Sequence, residues 1–250
     1  MTSNKHFHFE ITSSELRWLA EVLGYVKLPL FNIPNKNESE MGLVEELKTA
    51  QAKIQERGLA APLSGSGWQV ERLVVALTQL IANPDLVQVL QIWFKDGTFR
   101  RAFIYPNEDL PLFVEVSDVL QFTLYSNPHE LNTQKQVFFN IPPKLAFGQT
   151  SFQFSMPSQP HSLAWNSSEE FSITNMMDTL GSDGWEGLLG RMTTVGVITD
   201  LGSTEDGFDI REQKYLFWNR KNIWGGAVMT DGKTDFAPLS HTQAVRLLER

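Results

Sequence analysis

The segment 92–105, IWFKDGTFRRAFIY, crowds Trp93, Phe94, Phe99, Phe103 and Tyr105 around Lys95, Arg100 and Arg101. On one exposed sheet face such residues can stack on bases and neutralise phosphate. Register decides whether they share a face. If Asp96-Gly97 forms a two-residue type I′ loop, Phe94 stands opposite Phe99, Ile92 opposite Arg101 and Trp93 opposite Arg100. One face then holds Leu90, Ile92, Phe94, Phe99 and Phe103, a core pattern. The other leaves Trp93 and Arg100 as an exposed cation–π pair worth about 0.5–1 kcal/mol. The expectation is a scaffold hairpin rather than a surface that reads nucleic acid.

Other residues that could do chemistry lack the spacing for it. His6-x-His8 puts two imidazoles on one strand face, half of a metal site, but no HxxxH or HExxH pair completes it. His129, His161 and His241 stand apart in sequence. A nucleophile elbow needs Gly-x-Ser-x-Gly, and LSGSGW (63–68) does not supply it. Neither phosphate-binding pattern, GxxxxGK[ST] or GxGxxG, occurs. With 0 cysteines the chain has no disulfide, thiol nucleophile or cysteine zinc site. No catalytic residue, cofactor or metal is expected. The segment 175–192, NMMDTLGSDGWEGLLGRM, is different in kind: Met176, Met177, Trp185, Leu188, Leu189 and Met192 sit among helix-weakening glycines. Met and Trp are enriched in surfaces that re-pack around a partner. A loosely helical part of the core is the competing reading of the same residues.

A net charge of −8 over 250 residues disfavours a broad footprint on nucleic acid or an anionic membrane. No apolar signal-like stretch opens the sequence and no window offers eighteen consecutive apolar residues. The expectation is a cytoplasmic protein with no membrane partner.

The elements that would position these residues follow from periodicity. His6 to Ile11 alternates as a strand, and Thr12-Ser13-Ser14-Glu15 has capping-box spacing before a helix with Leu16, Leu19, Ala20 and Leu23. A second helix carries Leu43, Leu47, Ala50 and Ile54 and stops at Gly58, and a third runs from Val70 to Ile81. Strands are predicted over 86–95, 98–105, 112–116 and 120–125. Residues 126–150, rich in Asn, Gln and Pro, mark the boundary between halves at 1–140 and 141–250, packed as one globular unit. In the second half, 151–156 reads as a strand, 173–180 and 185–195 as helices, and 214–218 and 223–229 as strands. Ser240-His241-Thr242-Gln243 is a capping box opening a last helix. The fold class is α+β, an antiparallel sheet with flanking helices.

The halves echo one another. Phe7-x-Phe9-x-Ile11 matches Phe152-x-Phe154-x-Met156, and a shift of 125 (218 − 93) lays Trp93 on Trp218 and Phe99 on Trp224. A pseudo-two-fold duplication is the expectation.

ITSSELRWLAEVLGYVKLPLF (11–31) resembles the opening of EspG-type proteins, the chaperones associated with ESX (type VII) secretion. IQERGLAAPL with WQVERLVVALTQLIANPD is similar to their next stretch, and GGAVMTDGKTDFAPLSHTQAVRLLER resembles their closing strand, turn and helix. The likeness covers most of the chain, apart from 126–190. It implies a non-enzymatic cytoplasmic chaperone of quasi-two-fold α+β fold that keeps a helical, PE–PPE-like secreted protein soluble. Its contact surface would correspond loosely to Met176, Met177, Trp185, Leu188 and Leu189. Two rivals stand beside it. An enzyme with a small-molecule pocket would show converging titratable groups. A winged-helix-like DNA binder would need a basic third helix, where only Arg72 is a cation.

Overall fold

Helix starts are written locally, and the capping residues do what their spacing predicts. In the first box the Thr12 N–H donates to Glu15 Oε2 at 2.6 Å and the Glu15 N–H returns to Thr12 Oγ1 at 3.2 Å. In the second the Ser240 N–H donates to Gln243 Oε1 at 2.8 Å and the Gln243 N–H to Ser240 Oγ at 3.2 Å. The computed structural model describes residues 7–25, 28, 30, 40–65, 67–107, 110–141, 152–155, 192–204, 207–219, 222–227 and 233–249. Two compact units are present, one from Leu86–Phe113 and Leu124–Arg250, the other from Phe7–Asp85 and Val114–Thr123.

The second of these units holds β1 (Phe7–Ile11), α1 (Ser13–Val22), α2 (Glu40–Glu56), the short hairpin β2 (Ala60–Pro62) and β3 (Trp68–Val70), and α3 (Arg72–Ala82). Helices α1 and α2 end at Gly24 and Gly58, as predicted. Trp18 of α1 meets Trp68 of β3 edge-on, centroids 4.9 Å apart. The third helix is shorter than its apolar run. Val70 pairs with Ala60 in the β2–β3 hairpin, and Glu71 caps the helix by accepting from the Leu73 and Val74 N–H groups. A cap ends the helix where periodicity would carry it on.

The first unit is built on long strands. After α3 come β4 (Leu86–Phe94), β5 (Phe99–Tyr105), β6 (Leu112–Val116) and β7 (Leu120–Leu124), then α4 (Pro128–Phe139). The second half supplies β8 (Phe152–Ser155), β9 (Thr194–Thr204), β10 (Gly207–Trp218), β11 (Ile223–Ala227), β12 (Lys233–Pro238) and α5 (His241–Glu249). The strands β4/β5, β4/β9, β9/β10, β10/β11, β11/β12 and β12/β8 pair antiparallel, so the fold is α+β on a large antiparallel sheet. Residues 126–141, where the sequence reading placed no regular element, contain α4. Asn127 caps α4, Pro128 opens it, and Leu131, Phe138 and Phe139 enter the core. The predicted helix over 185–195 is also corrected at its end, because Thr194 and Val195 already belong to β9. Its earlier part, like the predicted helix over 173–180, lies outside the described residues.

The strand order is β1-β7-β6-β5-β4-β9-β10-β11-β12-β8. Counted inward from the two edges, one half of the chain gives β1, β7, β6, β5, β4 and the other β8, β12, β11, β10, β9. Each half begins with a Phe-x-Phe strand at an edge, lays its other four strands of this sheet from the middle outward, and is followed by a helix, α4 or α5; the short β2–β3 hairpin of the first half stands apart from the sheet. The Phe-x-Phe correspondence therefore holds. The match of Trp93 with Trp218 does not, since β4 is mirrored by β9 and β10 by β5.

The opening hairpin is corrected by one residue. Trp93 stands opposite Phe99, Ile92 opposite Arg100 and Gln91 opposite Arg101. The loop holds Lys95, Asp96 and Gly97: the Gly97 N–H donates to the Phe94 carbonyl at 3.0 Å, and only Gly97, φ +86°, is left-handed. That is a type I turn followed by a glycine bulge, not the type I′ loop, which needs positive φ at both central residues. A one-residue slip turns every side chain of one strand over relative to its partner. Ala102, Ile104 and Arg100 thus join Leu90 and Ile92 on the face packed by α4 and α5, whereas Phe103 goes to the opposite face. Trp93 is 5% exposed and Phe99 is 41% exposed, the reverse of the expectation. Arg100 lies over the Phe138 ring, 4.6 Å from its centroid, rather than over Trp93. Strand β4 is buried on both faces from Val87 to Trp93, as a strand at the middle of a covered sheet should be.

Candidate functional site

Charge collects at one place in the core of the first unit, and a bulge puts it there. Between Ile210 and Glu212 the β9–β10 register slips, so Arg211 is an extra residue and Glu212 stands opposite Asp200. The Arg211 side chain crosses Gly202, where a Cβ would lie 2.0 Å from its Nε. Asp200 is also the cross-strand neighbour of Gln88, whose Nε2 donates to Oδ1 at 2.6 Å. Lys214, 2% exposed, reaches Glu212 Oε2 at 2.8 Å and Asp200 Oδ2 at 3.6 Å. Lys135 on α4, 6% exposed, donates from Nζ to the Leu248 carbonyl at 3.2 Å. Burial lowers its pKa to about 8; Asp200 and Glu249 oppose the shift and Lys214 adds to it.

A lysine with a destabilised ammonium can serve as a base or nucleophile. Here the nitrogen is aimed at the end of α5, and its partners are the Leu248 carbonyl and the charges of Asp200, Lys214 and Glu249, none of them a hydroxyl or an imidazole. The cluster is an internal ion network, of a kind that costs more to break than it gains on forming.

On the opposite face a second buried network links Gln213 Nε2 to Thr199 Oγ1 at 3.1 Å and Tyr215 Oη to Gln213 Oε1 at 3.0 Å. Burial raises the Tyr215 hydroxyl far above its usual range, and Tyr105, wholly buried, shifts the same way. Neither phenol ionises near neutrality, so this chain of groups holds the sheet together without offering a base.

The residues predicted to meet a partner, Met176, Met177, Trp185, Leu188 and Leu189, lie outside the described residues. Met192, from the same run, is buried at 1% exposure. His8 is described and bonds at 3.3 Å to both Thr123 Oγ1 and Glu10 Oε1, while His6 lies outside. Among the described residues no three His, Asp or Glu side chains gather as a metal site, and no helix is long and apolar enough to cross a membrane. The hairpin β4–β5 is not a free wing, because β4 is paired along its other edge with β9. Sequence reasoning missed the long β9–β10 hairpin and its ion network. The β-branched run TVGVIT (194–199) signals the strand, but nothing in the pattern announces the bulge.

No family model matches the sequence, and no curated protein matches it. Among solved structures the chain is similar to EspG5, a type VII secretion system chaperone of Mycobacterium tuberculosis, solved in complex with the PE25–PPE41 dimer. The likeness has a TM-score of 0.60 at 10% identity and covers 97% of this chain and 93% of that one. At that identity what the two chains share is the fold, an α+β arrangement on a large antiparallel sheet.

Proposed function

We propose that this chain is a non-enzymatic cytoplasmic chaperone or adaptor that binds a helical protein partner, a type VII secretion substrate. The observation that carries the reading is the near-complete overlap in fold with a chaperone solved bound to its protein partner, 97% of this chain against 93% of that one. Fold alone does not fix function. Two further features support the reading: the pattern-level resemblance of residues 11–31 and 225–250 to the same chaperone family, and a Met- and Trp-rich run suited to re-packing on an apolar helix. In this proposal Met176, Met177, Trp185, Leu188 and Leu189 form the contact surface, and 1–140 and 141–250 act as paired halves of one globular unit.

The test is co-expression with the helical proteins encoded beside its gene, followed by titration calorimetry of any pair that co-purifies. A stoichiometric complex is expected, and Met177→Glu with Leu188→Glu should weaken it at least about ten-fold, about 1.4 kcal/mol, with the circular dichroism unchanged. Absence of co-purification and of binding heat for all neighbouring products would refute the reading.

A further inference from the structure

Cations that reach into the first unit have acceptors among the described residues, with one exception. Lys214 pairs with Glu212 and Asp200, Lys135 donates to the Leu248 carbonyl, and Arg100 donates to the Phe138 carbonyl at 3.1 Å. Arg101 follows Arg100 on β5 and so points to the other face of the sheet. Its Nε is buried without a hydrogen-bond partner, although the residue as a whole keeps some exposure. Burial lowers its pKa, and among the described residues no carboxylate opposes the shift. A guanidinium does not shed its proton in a protein, so the charge stays and its lost hydration goes uncompensated. The Phe99 ring lies 5.1 Å from the Arg101 Cζ, but a ring face offers no acceptor to the in-plane N–H groups.

That ring is the exposed end of a cross-strand row. Phe99 stands opposite Trp93, Trp93 opposite Val195 and Val195 opposite Phe217. Trp93, Val195 and Phe217 are buried, whereas Phe99, with its centroid 5.2 Å from that of Trp93, is 41% exposed. An apolar ring and a charge without an acceptor thus meet at the open end of the row. Arginine beside an aromatic ring is the composition of interface anchors. A single cation is not a phosphate track, and a net charge of −8 repels polyanions.

We propose that Phe99 and Arg101 are an anchor for a protein partner, in which Arg101 takes an Asp or Glu carboxylate and Phe99 covers the apolar residue beside it. The two oxygens of a carboxylate match the guanidinium fork and supply the missing counter-charge. The inference rests on the chaperone reading only in making the ligand a protein.

Titration of the full chain with a capped Leu-Asp-Leu peptide and with its Leu-Asn-Leu analogue tests it, followed by NMR at the Arg101 Nε–H and the Phe99 ring. The Asp peptide should give saturable shifts at both groups with Kd of about 1–10 mM, and the Asn peptide should bind about ten-fold more weakly. In Arg101→Met the Phe99 ring should no longer distinguish the two peptides. That variant should melt no lower than wild type, because it removes a charge that nothing compensates. Arg101→Gln is read the same way if the Met variant does not fold. Shifts absent up to about 20 mM, equal shifts from both peptides, or a preference that survives in the variants would each overturn the proposal. A lower Tm in both variants would show the charge already compensated and overturn it too. Failure of every neighbouring gene product to bind refutes the chaperone reading and leaves these titrations standing; flat titrations refute the anchor alone.

Discussion

Gly196 is the position where adding one carbon tests the core most directly. It lies on β9 beneath α4, and a Cβ there would stand 2.5 Å from Phe139 Cε1, 2.9 Å from Phe139 Cδ1 and 2.9 Å from Trp218 Cζ3. Carbon atoms pack at about 3.5–4.0 Å, so both rings must retreat by roughly 1 Å. They have nowhere to go. Phe139 is 0% exposed and Trp218 4% exposed, with Phe138 edge-on to Phe139 at 5.6 Å. Overpacking of this kind costs about 1–3 kcal/mol, against a gain of about 0.4–1 kcal/mol from a stiffer unfolded chain. Gly196→Ala should therefore lose about 1–2 kcal/mol and lower Tm by about 3–6 °C, read by urea and thermal unfolding with tryptophan fluorescence. Phe139→Leu makes room for the methyl, so the double variant should be more stable than the sum of the two by about 1 kcal/mol. A Gly196→Ala protein within about 0.5 kcal/mol of wild type, or strict additivity with Phe139→Leu, would refute the packing described here.

Three other outcomes follow from the same geometry. Deleting Lys95 leaves Asp96-Gly97 as a two-residue loop between Phe94 and Thr98 and keeps Trp93 opposite Phe99; it should cost only about 1 kcal/mol in urea melts, mainly the Lys95 N–H bond to the Thr193 carbonyl. Ser240→Ala removes the hydroxyl that accepts from the Gln243 N–H and should destabilise α5 by about 1 kcal/mol, seen as faster amide exchange confined to that helix. Stability should rise with pH from 7 to 9, below the range in which unfolded tyrosines ionise, because above pH 8 the unfolded Lys135 binds a proton that the folded one does not. The cost of the buried charge is full below the folded pKa and is relieved toward the unfolded one, by at most about 1.3 kcal/mol over this window, and Lys135→Met should flatten the rise.

Helix starts and strand positions were legible because their causes are local. A hydroxyl three residues before a Glu or Gln satisfies orphan amides wherever it occurs, so Thr12 and Ser240 could be read directly. The strands of the first half fell close to their predicted bounds for the same reason, since alternation and β-branching act over a few residues. Helix α4 was missed because its weakly amphipathic sequence, PHELNTQKQVFF, looks like a polar connection. It forms because Asn127 and Pro128 start it and because Leu131, Phe138 and Phe139 have a sheet to pack against.

By itself the sequence determined the class of the fold, the caps at Thr12 and Ser240, the place of a turn at Asp96-Gly97 and the paired Phe-x-Phe strands that stand at the two edges of the sheet. Only tertiary structure decided which way the side chains face. Two-residue and three-residue loops both accept Asp-Gly, and the choice between them turned Arg100 toward α4 and buried Trp93. The bulge at Arg211 likewise brings Glu212, Asp200 and Lys214 together from positions that no spacing rule connects. Register depends on the summed packing of both faces, which no short window of residues contains.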